Sequence, residues 1–454
     1  MPPLRRRRRS TRHSTAAALY SRNDQSEVSG DRTASVSDDV LAYIFAKLSD
    51  LAAVVRCAAT CLRWAGVVAT RAAVISGSLP PLGRFFPDLA VGVFHQENDR
   101  PTARGQHTAS SSARPCFVAT ASGARFLGGG QQHILSHDGE LLDHSCPVAS
   151  RNGRLVLELR HEGRRAADGL RFAVFNPMMQ RDNNIILVPP LLSKGGKNKT
   201  TMRDYGCALL TGHDLRPPRC NSFFGLLLIY NRGGANSTVL RCYSSDTGCW
   251  GPEAQCIVKI PSFKIRHMGP AVVHRSVAFW ALDQGLLGVR LDQIQIDNAA
   301  AASDIMHLVP FISPHYWPNN RLLGVSPDDR LFFMYLGVQA GPKNMIVLHF
   351  ETLEEEGDDD DVMQKWIVHL QEDDIQRKKT IHHHTGIRLR WLGEKSGIVL
   401  FTREERSRDA GTFTFNLRDK VLNKVADDGH SWKNLLGYEI DMAAYLASLA
   451  RHRP

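Results

Sequence analysis

The sequence predicts a multi-domain chain of two unlike parts: a small N-terminal module of three helices, and a large, nearly all-β domain that ends in a short helix. Three features carry this prediction. Apolar residues recur with a helical period behind an arginine-rich tail, short apolar runs broken by Gly, Asn, Asp and Pro dominate from about residue 110, and helical spacing returns at the C-terminus. With 454 residues, 43% of them hydrophobic, the chain is long enough for a small core and a large one.

The N-terminal tail, residues 1–35, is rich in Arg, Ser and Thr and poor in large apolar residues, a composition typical of disordered segments. Its eight Arg against three carboxylates supply half of the formal net charge of +10. The five consecutive Arg are either a nuclear import signal or a solvated basic tail. Because the rest of the chain is nearly balanced in charge, we expect no nucleic-acid partner.

Cysteine usage and hydropathy indicate the compartment. The nine Cys are scattered and contain no Cys-x-x-Cys pair, as is usual for reduced thiols of an intracellular protein. No apolar run approaches the roughly 20 residues of a membrane span, and no signal peptide is recognisable. We therefore expect a protein of the cytoplasm, the nucleus or both, with no membrane partner.

The first predicted helix begins just behind the tail. Leu41, Ile44, Phe45 and Leu48 fall on one helical face, and Ser37 is placed to cap the helix. A second apolar series follows within 20 residues. Helices this apolar cannot all be satisfied within about 40 residues, a size at which an isolated core is marginal. The sequence therefore predicts that a partner or the second domain covers the remainder.

These residues carry a specific resemblance. The stretch VSDDVLAYIFAKLSDLAAVVRCAATCLRWAGVV, residues 36–68, resembles an F-box, whose usual form runs LPDDLLxxILxRLPxxDLxRxxxVCKxWxxL, and RCAATCLRW is similar to the version common in plant F-box proteins. Ser37 and Ser49 stand where the family has proline, a residue that fixes chain direction at helix entries. The resemblance implies docking on a Skp-type adaptor and, through it, on a cullin ubiquitin ligase.

The apolar series and the family pattern together give a set of expected adaptor-binding residues: Val36, Leu41, Ile44, Phe45, Leu48, Leu51, Val55, Cys57, Cys61 and Trp64. A different explanation of the same periodicity is an ordinary helical cap on the larger domain. The joint match of the acidic pair, the Leu/Ile spacing and the terminal Trp favours the adaptor hypothesis.

The β domain contains a repeated unit. A turn followed by an apolar strand recurs in RNGRLVLELR, FFGLLLIYN, HRSVAFWAL, PDDRLFFMYL and EKSGIVLFTR, and each copy precedes a strand, a polar turn and another strand. A sixth candidate is FVATASGARFLGGGQQHILSHDGELL. Radial repetition of such units predicts a β-propeller of five to seven blades. A pair of β-sandwiches is the alternative.

Two further motifs resemble known propeller families. CYSSDTGCW is similar to the Tyr-turn-Trp pairing of a kelch blade, and VASRNGRLVLEL with VFNPMMQ resembles plant F-box-associated domains. The resemblance implies a domain that captures a target protein. The sequence then divides into a tail (1–35), an F-box (36–76), a linker (77–110), a propeller-like recognition domain (111–430) and a C-terminal helix (431–454).

Three segments have the composition of chemical sites without their spacing. The triplet His382–His384 does not converge on a strand, because successive side chains point to opposite faces. The run EEEGDDDD, residues 354–361, lacks the alternating ligands of a calcium loop. SKGGKNKT, residues 193–200, does not match a phosphate-binding loop. The sequence therefore predicts no metal, no cofactor and no catalytic residue.

The best candidate for a target-binding loop is HYWPNNR, where aromatic residues stand beside Pro, Asn and Arg outside any strand pattern. The expected contacts are His315, Tyr316, Trp317 and Arg321. The sequence as a whole predicts a non-catalytic F-box receptor subunit. The alternatives are an F-box-derived propeller that binds a protein or glycan outside the ligase, a propeller enzyme, and a nucleic-acid binder led by the tail.

Overall fold

The computed structural model describes residues 36–48, 51–79, 84–96, 114–127, 142–160, 169–177, 185–191, 204–220, 222–232, 237–256, 259–266, 268–282, 285–294, 306–310, 321–339, 345–352, 365–367, 387–403, 410–427 and 432–449. Several predictions lie outside these ranges: those for the tail, Ser49, residues 193–200, residues 354–361 and His382–His384. In the described ranges, no helix has the length and apolar character of a membrane span.

The N-terminal module has four helices in its described residues, one more than the sequence predicted. They are α1 (Asp38–Ala46), α2 (Leu51–Thr60), α3 (Leu62–Thr70) and α4 (Ala72–Ser78). Ser37 caps α1 as predicted, because its side chain accepts a hydrogen bond from the backbone N–H of Val40. The extra helix follows a break at Arg71, where the backbone leaves the α region and starts a new helix. Its apolar stretch has too few residues for a helical period to predict a separate helix.

The remaining helices are short. They are α5 (Ala121–Leu127), α6 (Ser262–Arg266) and α7 (Met442–Ser448). The predicted C-terminal helix corresponds to α7, which begins where the side chain of Asp441 accepts the N–H of Ala444.

The β domain is a six-blade propeller within the described residues, built from antiparallel sheets. Blade 1 contains β1 (Ala90–Gln96), β2 (Cys116–Ala119) and β24 (Lys433–Glu439). Blade 2 contains β3 (Cys146–Arg151), β4 (Arg154–Leu159), β5 (Leu170–Phe175) and β6 (Ile185–Leu191). Blade 3 contains β7 (Tyr205–Thr211), β8 (Phe224–Arg232), β9 (Ser237–Ser244), β10 (Cys249–Trp250) and β11 (Ala254–Gln255).

The other three blades are four-stranded. Blade 4 contains β12 (Val272–His274), β13 (Val277–Leu282), β14 (Gly285–Arg290) and β15 (Met306–Pro310). Blade 5 contains β16 (Arg321–Val325), β17 (Leu331–Gln339), β18 (Met345–Thr352) and β19 (Lys365–Ile367). Blade 6 contains β20 (Ile387–Leu392), β21 (Ile398–Arg403), β22 (Gly411–Asn416) and β23 (Leu422–Ala426).

The innermost strands of the blades, β24, β3, β7, β12, β16 and β20, contact one another around a central channel. Blade 1 closes the ring, because its inner strand β24 comes from the C-terminal part of the chain and pairs with β1 from the N-terminal part. Neighbouring strands of each blade run in opposite directions, so the turns that follow the six inner strands all lie on the same face of the ring. We call this the helix-side face and the opposite one the far face.

The predicted repeat is confirmed by this arrangement. The five turn-and-strand units end in β4, β8, β13, β17 and β21, the second strands of blades 2 to 6. These strands read as continuous apolar runs because neighbouring blades cover both faces, as in β8, whose first seven residues are buried. The sixth candidate supplies β2 and α5 in its described part.

The domain boundaries differ from the predicted ones. Strand β1 lies within residues 77–110, which the sequence predicted as a linker, and β24 lies within residues 431–454, predicted as a helix. Both strands belong to blade 1. Their pairing joins residues more than 300 positions apart, for example Phe94 with Leu436, so no local pattern marks it.

The helical module is joined to the helix-side face by a shared core. Helix α7 follows β24 on that face and contacts α3 and α4. One buried apolar cluster extends from Phe45 and Val68 in the module, through Leu446 of α7, to Leu155 and Tyr438 in the propeller. The module is therefore packed onto the propeller and is not separated from it by a linker.

Candidate functional site

The helical module exposes a group of large apolar side chains. Five large apolar side chains, on α1, α3 and α4, are between 46% and 73% exposed: Val40, Tyr43, Ile44, Leu62 and Val74. We call this set the helical patch. The first three lie on one face of α1, at spacings that make them neighbours. If a partner covered these side chains, each would contribute less than the roughly 1.5 to 3 kcal/mol of a fully exposed side chain that becomes fully buried, before the cost of association. The patch therefore has the chemistry of a protein-docking surface.

Two ion pairs hold the helices that carry the patch. Arg63, next to Leu62, donates to Asp38 at 2.9 and 3.0 Å, and Arg71, three residues before Val74, donates to Asp39 at 2.5 Å. These carboxylates are the acidic pair of the F-box resemblance. Both are largely exposed, so each pair contributes at most about 1 kcal/mol to stability. Their role is to place α3 and α4 beside α1.

The ten predicted adaptor residues divide into three groups by exposure. Three are buried in the core of the module itself: Leu41, Phe45 and Leu51. Five are partly buried and pack against that core: Val36, Leu48, Val55, Cys57 and Trp64. Two are exposed: Ile44 and Cys61. The Trp64 ring packs edge-on against Phe45, with centroids 5.4 Å apart, so this Trp also stabilises the module.

Four residues of the helical patch were not among the predicted contacts: Val40, Tyr43, Leu62 and Val74. Helical periodicity selects the face that packs inward, and these side chains lie away from it. The signal that could have found them is the presence of large apolar residues away from the inward faces of α1, α3 and α4.

The predicted target-binding residues are only partly described. His315, Tyr316 and Trp317 lie outside the described residues. Arg321 begins β16 on the far face, and its guanidinium lies 5.6 Å from the centre of the Phe333 ring. Arg321, the one described residue of this set, therefore lies on the far face, opposite the helical module.

The kelch-like resemblance has a structural counterpart in blade 3. Tyr243 and Trp250 are cross-strand partners in the β9–β10 hairpin, and their rings meet at a centroid distance of 5.6 Å. The indole of Trp250 donates to the carbonyl oxygen of Pro189 in blade 2 at 2.7 Å. The pair therefore packs two neighbouring blades together.

The central channel contains a small cavity of about 40 Å³ that opens to solvent. Its walls come from blades 1, 2, 4, 5 and 6, and include Arg151, Arg321, Trp391, Glu394 and Glu439. Polar groups of both charges thus converge near the axis of the propeller, where binding sites commonly form.

Arg151 links three blades at the helix-side end of this channel. Its guanidinium binds both oxygens of Asp214, from the segment after β7, and both oxygens of Glu394, from the turn after β20, at 2.9 and 3.0 Å. Burial alone would lower the pKa of Arg151, but the two carboxylates raise it. Burial likewise would raise the pKa of Asp214, yet Arg151 holds it below its usual value. Arg151 and Asp214 are therefore ionised together.

A second buried carboxylate, Glu439, lies near this cluster and is held by backbone N–H groups. Glu439 accepts the backbone N–H groups of Ser396, at 2.6 Å, and Lys395, at 3.3 Å. Burial raises the pKa of Glu439 in spite of these donors. Burial also lowers the pKa of Lys395, although Glu439 acts against that shift. The end of the channel is thus a dense polar cluster with a structural role in joining blades.

The described residues contain no group of three or more His, Cys, Asp or Glu side chains arranged to hold a metal ion. Their cysteines carry free thiols, and burial raises the pKa of Cys207 to about 12. At neutral pH this thiol is therefore protonated and unreactive.

No protein-family model and no curated protein sequence matches the chain. Among solved structures, similar ones include a prolyl endopeptidase (TM-score 0.30, 10% identity, 62% of this chain and 36% of that one). Others are the GH93 α-L-arabinofuranosidase of Fusarium graminearum (TM-score 0.33, 10% identity, 64% and 79%) and the WD40 domain of SCAP from fission yeast (0.26, 10%, 62% and 64%). The chain thus spans about a third of the prolyl endopeptidase. These similarities are distant. The number of six blades follows from the strand pairing of the described residues.

Proposed function

We propose that the chain is an F-box substrate receptor of a Skp–cullin–F-box ubiquitin ligase. The observation that carries the proposal is the helical patch: large apolar side chains exposed on a small helical module whose sequence resembles an F-box. Such exposed groups mark protein-interaction surfaces. The propeller behind the module supports the same function, because propellers present loops from several blades around one axis.

The receptor would contribute no catalytic residue. Its role is to hold a target near the conjugating enzyme of the ligase, which raises the effective concentration of the target's lysines. The module and the helix-side face share a buried core, which would hold the propeller in one position relative to a bound adaptor. A target bound to the propeller would therefore be held in one orientation.

We propose a revised set of adaptor contacts based on side-chain exposure. Ile44 and the four other residues of the helical patch are available to a partner, whereas Leu41, Phe45 and Leu51 are already buried in the module. We assign the direct contacts to the patch and the support of its helices to the buried residues. Ser37 takes the place of the family's proline and supplies a side-chain cap instead.

The test is co-purification of a Skp-type adaptor with the full chain. The double variant Ile44→Asp/Leu62→Asp should lose the adaptor, because it places two charges where the partner's apolar groove would be. Val421→Asp is the matched control, since Val421 is equally exposed but lies on blade 6. It should keep full binding.

Retention of the adaptor by the double variant would contradict the proposal. A folded wild-type chain that binds no Skp-type adaptor would indicate instead that the propeller recognises its ligand outside a ligase.

A further inference from the structure

The turn between β3 and β4 contains the one Asn-Gly pair of the sequence, Asn152–Gly153. Arg151 and Arg154 pair across its base, so these two residues form the whole turn. Both have a positive φ, +47° for Asn152 and +76° for Gly153, which is the geometry of a type I′ turn. Asn and Gly adopt this geometry at low cost, whereas most other residues do not.

This turn is docked on the closing strand of the ring. The backbone N–H of Gly153 donates to the carbonyl oxygen of Glu439 in β24 at 2.9 Å, and the hydroxyl of Tyr438 donates to the carbonyl oxygen of Gly153 at 2.7 Å. Tyr438 is fully buried, and a Cβ atom on Gly153 would lie 3.0 Å from the carboxylate of Asp441. Both polar backbone groups of Gly153 are thus held by blade 1, beside the residue that caps α7.

An asparagine that is followed by glycine can lose its side-chain amide without an enzyme. The backbone nitrogen of Gly153 gives up its proton to solvent and attacks the side-chain carbonyl carbon of Asn152, and the side-chain nitrogen leaves as ammonia. Water then opens the resulting five-membered succinimide at either of its carbonyl groups. One product is aspartate. The other is isoaspartate, in which the backbone runs through the former side chain and is one methylene longer.

The docked turn blocks the first step of this reaction. The nitrogen of Gly153 can attack only after its proton has left, and in the folded protein that proton is donated to Glu439. The turn must therefore come away from β24 before the succinimide can form, and such local opening is rare for a segment held in a buried core. The rate of reaction at Asn152 thus reports how often the junction between blades 1 and 2 opens.

We propose that Asn152 is a deamidation site that is protected while the turn is docked, and that its conversion to isoaspartate weakens the junction between blades 1 and 2. Isoaspartate lengthens a two-residue turn whose register is fixed by the strands on both sides. Either product also adds a negative charge to a turn that lies beside Asp441. The chemistry is independent of the ligase function.

The test compares the folded full chain with a synthetic peptide of residues 148–156 and with the full chain in urea, all at the same pH and temperature. Mass spectrometry after digestion measures deamidation, and chromatography separates isoaspartate from aspartate. We expect Asn152 to deamidate at least about tenfold more slowly in the folded chain than in the peptide, and at close to the peptide rate in urea. Equal rates in the folded chain and the peptide would overturn the protection.

Two variants show whether docking is the cause. Tyr438→Phe removes one contact of the turn and should raise the rate in the folded chain about fivefold. Tyr230→Phe is the matched control, because the Tyr230 hydroxyl is also on a buried residue but donates to Glu253 in blade 3. It should keep the wild-type rate, so equal acceleration by both variants would contradict the assigned role of Tyr438. The comparison of the folded chain with the peptide stands whether or not Tyr438→Phe folds.

The effect of the product is measured on the full chain. Chain that carries isoaspartate is produced by long incubation at mildly alkaline pH and separated by ion exchange. It should unfold at a lower temperature than intact chain from the same incubation. An unchanged unfolding temperature would overturn the proposed weakening of the junction.

Discussion

At the scale of single residues, Arg151 pairs with two carboxylates that come from two other blades. It contacts Asp214 and Glu394, which lie 63 and 243 residues further along the chain. No local pattern could have predicted this cluster, because the partners come from three blades. The sequence did predict the neighbouring strands, but strand alternation does not say which charged residues meet at the channel.

Removing Arg151 should be costly. Arg151→Met leaves the buried Asp214 and the partly buried Glu394 without their cation, so we expect the free energy of unfolding to fall by about 3–5 kcal/mol. Arg275→Met, at an exposed pair, should cost less than about 1 kcal/mol. Urea denaturation of the full chain measures both. A loss of similar size in the two variants would show that the Arg151 cluster is not an important stabilising contact.

The pH dependence of stability should show Asp214 and Glu439 acting in opposite directions. Arg151 overcomes the effect of burial and lowers the pKa of Asp214, so its contribution is complete above the unfolded-state pKa and is lost as the pH falls through the folded-state pKa. Burial raises the pKa of Glu439, so its contribution is complete below the unfolded-state pKa and is lost as the pH rises through the folded-state pKa.

Denaturation of wild type, Asp214→Asn and Glu439→Gln at several pH values from 3 to 7 tests this prediction. The stability advantage of wild type over Asp214→Asn should shrink on acidification. Its advantage over Glu439→Gln should shrink as the pH rises. The same trend for both variants would rule out the assigned environments.

At the scale of elements, sequence reasoning succeeded where the strand environment is local. The second strands of blades 2 to 6 are covered on both faces and read as unbroken apolar runs behind a turn. It failed for β1 and β24, because ring closure pairs the two ends of the domain and neither end repeats the unit. It found the core face of α1 but not the helical patch, since periodicity reports what packs inward.

The closing strand has a steric requirement that can be tested. A Cβ atom on Gly437 would lie 2.1 Å from the Trp391 ring, so β24 can approach blade 6 only with glycine at this position. Gly437→Ala should therefore destabilise the propeller by about 1–3 kcal/mol. Trp391→Leu should restore part of that loss in the double variant. Gly66→Ala, in open space on α3, serves as the control and should be neutral or slightly stabilising. Thermal unfolding measures these changes, and an unaffected Gly437→Ala variant would contradict the packing described for β24.

At the scale of the whole molecule, the helices and the propeller share one core. The helical patch lies on a module packed against the helix-side face. The sequence predicted the two parts and their order, but it placed a linker between them. A shared core instead packs the module directly against the propeller.

The most direct test of this account is the stoichiometry of the complex between the full chain and a purified Skp-type adaptor, measured by size-exclusion chromatography with light scattering. We expect one adaptor per chain for wild type and for Val421→Asp, and separate peaks for Ile44→Asp/Leu62→Asp. A folded wild-type chain that elutes apart from the adaptor, or a double variant that still forms the complex, would contradict the assignment of the helical patch as the ligase-docking surface.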